Sequence, residues 1–152
     1  MGVGAVVVDG DRVLLIRRGR EPMKGQWSLP GGALEIGETL VDGVRREVRE
    51  ETGLEVEPLA LVEVLDRIAR DGEGRVQFHY VLLDYLCRVT GGELCCASDA
   101  VDVRWAKRDE WEGVAAFTVA VIEKGLAVHS AAGLAVQASA PLTQEQRPGS
   151  TD

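Results

Sequence analysis

The stretch GGALEIGETLVDGVRREVREETGL, residues 31 to 54, brings three carboxylates to the end of one predicted helix: Glu47, Glu50 and Glu51. That end carries the negative pole of the helix dipole, where acids are disfavoured and bases favoured. The last turn nevertheless holds no lysine and one arginine, Arg49. At about 100° per residue from Glu47, Glu50 falls at about −60° and Glu51 at about +40°, so the three acids share one face. Val44, Val48 and Val41 follow at about +60°, +100° and +120°, while Arg45 and Arg49 point outward. The acids therefore sit at the margin of the apolar stripe, not on the far solvent side.

Carboxylates crowded at a core edge repel one another, and their pKa values rise unless a cation neutralises them. Arg46 can pair with Glu50 at i, i+4, which contributes only a few tenths of a kcal/mol. A divalent cation removes the conflict. A donor set of oxygens, with no Cys or His, suits Mg²⁺, with Mn²⁺ as a substitute, better than Zn²⁺. The competing explanation is a merely solvated acidic face. Thr39 fits the N-cap, with Asp42 in the partner position of a capping box, and Gly53 fits the left-handed residue past the C-terminus. Those ends bound the helix to about residues 40–52.

Composition narrows the partners. The 152 residues suffice for one domain with a sizeable core. There are 25 acidic and 17 basic residues, a formal charge of −8. This opposes binding to a nucleic acid polymer, which needs a cationic surface. Small phosphorylated ligands remain open, provided metal cations stand between the two anions. No apolar run approaches the roughly 18 residues of a membrane span, and MGVGAVVVDGDR lacks the pattern of a signal peptide. Cys87, Cys95 and Cys96 form neither a disulfide framework nor a metal spacing. The expectation is a cytoplasmic protein with reduced thiols and no membrane partner.

Several elements must position the acids. GVGAVVV and RVLLIRR flank Asp9-Gly10-Asp11 as a hairpin. Residues 19–32, rich in Gly and Pro, read as a loop. LEVEPLALVEVLDRIAR carries one or two strands, RVQFHYVLLDYLCRV a long strand reaching Thr90, and VDVRWAKRDE a short strand leaving the sheet. A helix is expected from Phe117 to about Val128. Strands flanking two separated helices indicate an α/β fold. The expected domain spans residues 1–130, with 131–152 a largely disordered C-terminal tail.

From Gly32 the chain reads Gly, five residues, Glu38, seven residues, then Arg46-Glu47-Val48-Arg49-Glu50-Glu51-Thr52-Gly53-Leu54. This resembles the Nudix signature at every defined position, including the aliphatic ones at Val48 and Leu54. The preceding GQWSLPGG and its strand pair also look like Nudix hydrolases, so the resemblance covers about residues 3–128. It implies an α/β/α Nudix sandwich with a mixed central sheet that hydrolyses a nucleoside diphosphate linked to another moiety. By the same resemblance Glu47, Glu50 and Glu51 bind metal. Glu38 either joins them or pairs with Arg46. Gly31 and Gly32 let backbone approach metal and phosphates, which makes Gly32 a candidate ligand too.

In that chemistry metal ions cancel the charge shielding the pyrophosphate and acidify a bound water, and a carboxylate takes its proton. Glu47 and Glu50 are candidate bases on the helix. Asp99 is the best candidate from a distant loop, with Glu93 and Asp102 as alternatives. Arg17 or Arg18 could hold a terminal phosphate. Trp27 is either a base-stacking platform or a packing anchor, and His79 is more readily a satisfied strand histidine than a ligand. RVQFHYVLLDYLCR, GGE and SDAVDVRW look like the short bacterial ADP-ribose pyrophosphatase branch, and the chain starts at the first strand, without the extension of the larger ADP-ribose enzymes. The expected reaction is ADP-ribose to AMP and ribose 5-phosphate. The alternatives are a MutT-type nucleoside triphosphate pyrophosphatase and a catalytically silent metabolite sensor. Many members of the family dimerise, so a homodimer through the C-terminal helix or first hairpin is open.

Overall fold

The computed structural model describes residues 1–21, 23–95 and 100–139. Strands β1 (Gly2–Asp9) and β2 (Arg12–Arg18) form the expected hairpin, with Val8 opposite Val13 and Asp9 opposite Arg12. Gly10 turns it with φ +63°, a conformation that β-carbons oppose. Beyond those two pairs the strands part. The start of β1 runs antiparallel to β4 (Gly31–Ala33) and parallel to β6 (Val76–Gly92). The end of β2 pairs with β3 (Trp27–Ser28) and β7 (Ala100–Lys107). Strand β5 (Leu54–Arg70) completes a mixed sheet in the order β3-β2-β1-β6-β5.

Helix α1 (Leu40–Thr52) covers one face of this sheet and α2 (Ala116–Ser139) the other. Strand β1 supplies both cores. Val3, Ala5 and Val7 pack with Leu14, Leu54 and the α1 residues Val44 and Val48. Val6 and Val8 pack with Leu15, Leu86 and the α2 residues Val121 and Ile122. A strand buried on both faces reads as one apolar run, not as an alternation, which is why GVGAVVV does. The α/β/α sandwich is borne out.

Several boundaries differ from expectation. Strand β5 is one 17-residue element broken by bulges, including one across Pro58, which has no amide proton to give a ladder. The loop 19–32 contains β3 and β4. Strand β7 does not leave the sheet; it pairs with β2 from Arg12 to Arg18. Helix α2 runs on to Ser139, across the expected boundary between residues 130 and 131. Residues 140–152 of the expected tail lie outside the described residues. Neither described helix is long and apolar enough to cross a membrane.

Gly53 ends α1 at φ +75°, and a β-carbon there would collide with the Glu93 carbonyl. Gly53→Ala should therefore lower unfolding free energy by more than about 1 kcal/mol in urea titrations. Gly72→Ala, where a β-carbon meets nothing, should stay within about 0.5 kcal/mol.

Candidate active site

Both ends of α1 are fixed locally. Thr39 Oγ1 accepts a hydrogen bond from Asp42 N at 3.1 Å, and Gly53 N donates to Arg49 O at 2.9 Å. Asp42 turns its own carboxylate toward Arg45 at 3.5 Å, so the capping interaction shown is the Thr39 half. Val44 and Val48 anchor the helix against the sheet, and the acid face then meets β4 and the loop beyond it.

Arg46 organises that face. Its Nε and Nη2 donate to the two oxygens of Glu38 at 2.6 and 2.9 Å, and Nη2 also reaches Ala33 O at 2.9 Å. Its Nη1 donates to Glu47 Oε1 at 2.9 Å and Glu50 Oε2 at 3.2 Å. Glu35 stands 3.7 Å from Nε. The sequence offered Arg46 a weak pairing with Glu50 and, through the resemblance, a pairing with Glu38 as one of two roles for that acid. One half-buried guanidinium instead binds three carboxylates, because α1 packs against β4 and the Glu35–Glu38 turn folds back over it. The Arg46 hydrogen bonds hold the Glu38 carboxyl below its ordinary pKa. Hydrogen bonding to Glu38 and Glu47 raises the Arg46 pKa further. Glu47 moves the opposite way: burial outweighs Arg46, and its pKa is raised.

The neighbouring glycines leave space for these acids. A β-carbon on Gly32 would lie 2.6 Å from Glu47 Oε1. Gly31 N donates to Glu51 Oε2 at 2.9 Å, which holds the buried Glu51 against β4. Among the described residues no three His, Cys, Asp or Glu side chains converge as a ready metal cage. Arg46 Nη1 stands between Glu47 and Glu50, and Glu51 is turned to Gly31, which accounts for this. The donor set still fits a hard divalent cation: Glu47, Glu50 and Glu51 offer only oxygens, Glu50 is exposed, and the glycine edge leaves room.

Where β1 and β2 part, a polar pocket of about 330 Å³ is lined by Arg18, Arg20, Gly31, Gly32, Glu47 and Glu51. It shares Arg18, Gly32 and Ala33 with a larger, mainly apolar cavity of about 440 Å³. The β5–β6 register builds one wall of that cavity, pairing Leu65 with Leu82 and Arg67 with Tyr80. Helix α2 supplies Phe117, whose ring lies 4.2 Å from the Arg67 guanidinium, and Thr118.

Of the residues expected from sequence, Arg18, Gly31, Gly32, Glu38, Arg46, Glu47, Glu50 and Glu51 come together around this junction. Arg17 does not: it is exposed and donates to Gly25 O at 3.3 Å. Trp27 packs on the α2-side core beneath Arg104, 4.7 Å from its ring, so the structure places it as a packing anchor and not on the cleft. His79 is paired with Asp66 at 2.7 Å. Glu93 is exposed, and Asp102 accepts from Val103 N at 2.8 Å. Asp99 and Cys96 lie outside the described residues. Cys87 is a buried thiol whose pKa is pushed up to about 12 by burial.

Asp84 was missed. It lies on β6 among apolar residues, 7% exposed, at the floor of the larger cavity. Burial, and then the charge of Glu63, raise its carboxyl to about 6. The signal was present in QFHYVLLDYLC: at every second residue, Asp84 shares a face with Phe78, Tyr80 and Leu82.

The family model described as NUDIX domain matches residues 1–124. An ADP-ribose pyrophosphatase of Methanocaldococcus jannaschii is 39% identical over 106 residues, 66% of this chain and 60% of that protein. The 8-oxo-dGDP phosphatase NUDT18 of Mus musculus is 39% identical over 90 residues, 59% of this chain and 25% of that protein. The chain thus spans between a quarter and three fifths of these two relatives. The crystal structure of a MutT NUDIX hydrolase from Burkholderia pseudomallei superimposes with a TM-score of 0.71 at 32% identity, covering 81% of this chain and 95% of that one.

Asp84 gives a pH signature. A carboxyl whose folded pKa is raised, here from 3.8 to about 6, favours folding below the unfolded value and loses that contribution as pH rises through the folded one. Asp84→Asn should match wild type in stability below about pH 4 and exceed it by on the order of 2 kcal/mol at pH 8. Chemical denaturation across pH checks this; parallel curves would mean that the Asp84 carboxyl is not desolvated.

Proposed function

The chain belongs to the Nudix family, and from that premise we propose that it is a metal-dependent pyrophosphohydrolase of nucleoside diphosphate derivatives, with ADP-ribose its foremost substrate. One observation carries the reading: the carboxylates gathered by Arg46 at the end of α1 adjoin both the Gly31–Gly32 backbone and a cavity large enough for an organic group. A diphosphate at the junction leaves its attached group to enter the cavity.

Glu47, Glu50 and Glu51 would hold Mg²⁺ or Mn²⁺. When bound, such ions offset the charge of the diphosphate and acidify a coordinated water. The chain's own residues do the rest. Arg46 fixes Glu47 and Glu50 in one place, and Glu38 keeps Arg46 extended along the helix. Gly31 and Gly32 let the phosphates approach the backbone closely. Arg18, common to both pockets, faces the phosphate or its neighbouring ribose. Glu47 and Glu50 are the candidates on the helix to accept a proton from the attacking water, and Asp99 remains the candidate from the distant loop. Water attack on phosphorus forms one P–O bond and breaks the bridging one, releasing AMP and ribose 5-phosphate from ADP-ribose.

The relative's name and the FHYVLLDYL strand support ADP-ribose. A second reading, hydrolysis of a (deoxy)nucleoside di- or triphosphate, is favoured by the NUDT18 similarity and by the acid at the cavity floor. Retention of Glu38, Glu47, Glu50 and Glu51 speaks against a silent sensor.

The test is a panel of ADP-ribose and nucleoside di- and triphosphates with Mg²⁺ and Mn²⁺, with products resolved by chromatography. ADP-ribose should be turned over at least tenfold more efficiently than any triphosphate; equal efficiencies would overturn the ADP-ribose assignment. Glu50→Gln, exposed and so harmless to the fold, should lower kcat by at least about 100-fold at unchanged melting temperature. Unchanged activity would remove this helix from catalysis.

A further inference from the structure

Asp84 is used by none of the chemistry above. The residue is 93% buried, yet no described residue hydrogen-bonds or ion-pairs with its carboxyl. A buried acceptor left without a partner is costly, and folded proteins rarely tolerate one without use. Its oxygens are not sealed inside the protein: the residue lines the larger cavity. Space for the carboxyl comes from Gly4, opposite it on β1, where a β-carbon would collide with Asp84 Oδ1.

The surroundings define what it can meet. Glu63 lies across the ladder on β5 and is bound to Lys124 of α2 at 2.5 Å. Among the described residues, the side-chain cations lining the cavity are Arg67, stacked on Phe117, and Arg18, at the end shared with the acidic pocket. Apart from Ser28 and Thr118, the remaining walls are apolar or aromatic. Such a cavity suits a flat ring that carries N–H groups along one edge: apolar walls take its faces and the carboxyl takes its edge.

We propose that Asp84 is a specificity-determining residue that accepts hydrogen bonds from the N–H edge of a purine base lodged in the cavity. The proposal rests on the nucleotide-hydrolase reading of the adjoining acidic pocket, in its nucleoside di- or triphosphate form and not its ADP-ribose form, and adds which residue reads the base. A carboxylate offers two acceptors. It matches a guanine-type edge, where a ring N–H and an amino group lie side by side. It meets an adenine-type edge with one matched donor and one opposed ring nitrogen. An amide at the same place offers one donor and one acceptor and reverses that match. Sites built to hydrogen-bond a ligand edge discriminate strongly because a mismatch leaves buried polar groups unpaired.

Calorimetric binding of the α,β-methylene analogues of ADP and GDP at pH 8, where the carboxyl is ionised, tests this without hydrolysis. Asp84→Asn should shift the ratio of the two affinities toward the adenine analogue by at least tenfold. Asp84→Leu should weaken the guanine analogue at least tenfold while inorganic pyrophosphate binds as in wild type. Melting curves confirm that both variants fold. A ratio unchanged within twofold in Asp84→Asn, a guanine affinity unchanged in Asp84→Leu, or no binding of either analogue to wild type would each overturn the proposal. Analogue binding without turnover of any true nucleotide would instead refute the hydrolase reading and leave base recognition standing.

Discussion

Arg46 is tied to Glu38 through Nε and Nη2 and to Glu47 and Glu50 through Nη1, so four charged side chains share one geometry on α1. A planar guanidinium can do this where a lysine ammonium cannot, because its donors are fixed in a fork matched to carboxylates. Without that positive charge, Glu47 would face Glu50 and Glu38 from a partly desolvated position at the negative pole of a helix. Burial already pushes its carboxyl toward the neutral form. One guanidinium thus faces three carboxylates, so the cluster keeps an excess of acidic groups.

The fold places this cluster by dividing a hairpin. After two pairs β1 and β2 separate, and the glycines of β4 come alongside β1. Gly31 sits so close to β1 that a β-carbon would strike Val3 and Gly4, and Gly32 so close to Glu47 that one would strike its carboxylate. Small residues therefore bring backbone, helix acids and the end of β2 to one junction. The same strand separation opens the way to the larger cavity, whose wall follows from the β5–β6 register. In the proposed reading, phosphate chemistry and recognition of the attached group are neighbours because the acidic pocket and the larger cavity both adjoin β1.

Much of this was legible in the sequence. Thr39 and Gly53 mark the helix ends because caps are local chemistry, and 3.6-residue periodicity puts Glu47 and Glu51 beside the valines. The resemblance offered the Arg46–Glu38 pairing as one of two roles, but the joint hold of Arg46 on Glu38, Glu47, Glu50 and Ala33 O was not legible: it depends on the turn at Glu35–Glu38 and on Ala33 O, which lie 8 to 13 residues away along the chain. Trp27 and Arg17 were left open between two roles because strand alternation tells which face a residue takes, not what covers that face; Trp27 takes the packing role and Arg17 is exposed. Asp84 escaped because an acid in an apolar strand carries no motif; only the parallel pairing with Gly4 shows that it is buried at a cavity. The length of α2 was underread since AAGLAVQAS lacks a charged face to mark it as a helix.

The central claim is that the acids at the end of α1 form a divalent-cation site on this particular face. Electron paramagnetic resonance of Mn²⁺ titrated into the full chain tests it most directly. The wild type should remove Mn²⁺ from the free-ion signal at stoichiometric ratio in the presence of a non-hydrolysable nucleotide analogue, and Glu47→Gln/Glu50→Gln should lose that binding by at least tenfold. Equal Mn²⁺ binding in the double variant, with its fold intact, would contradict it.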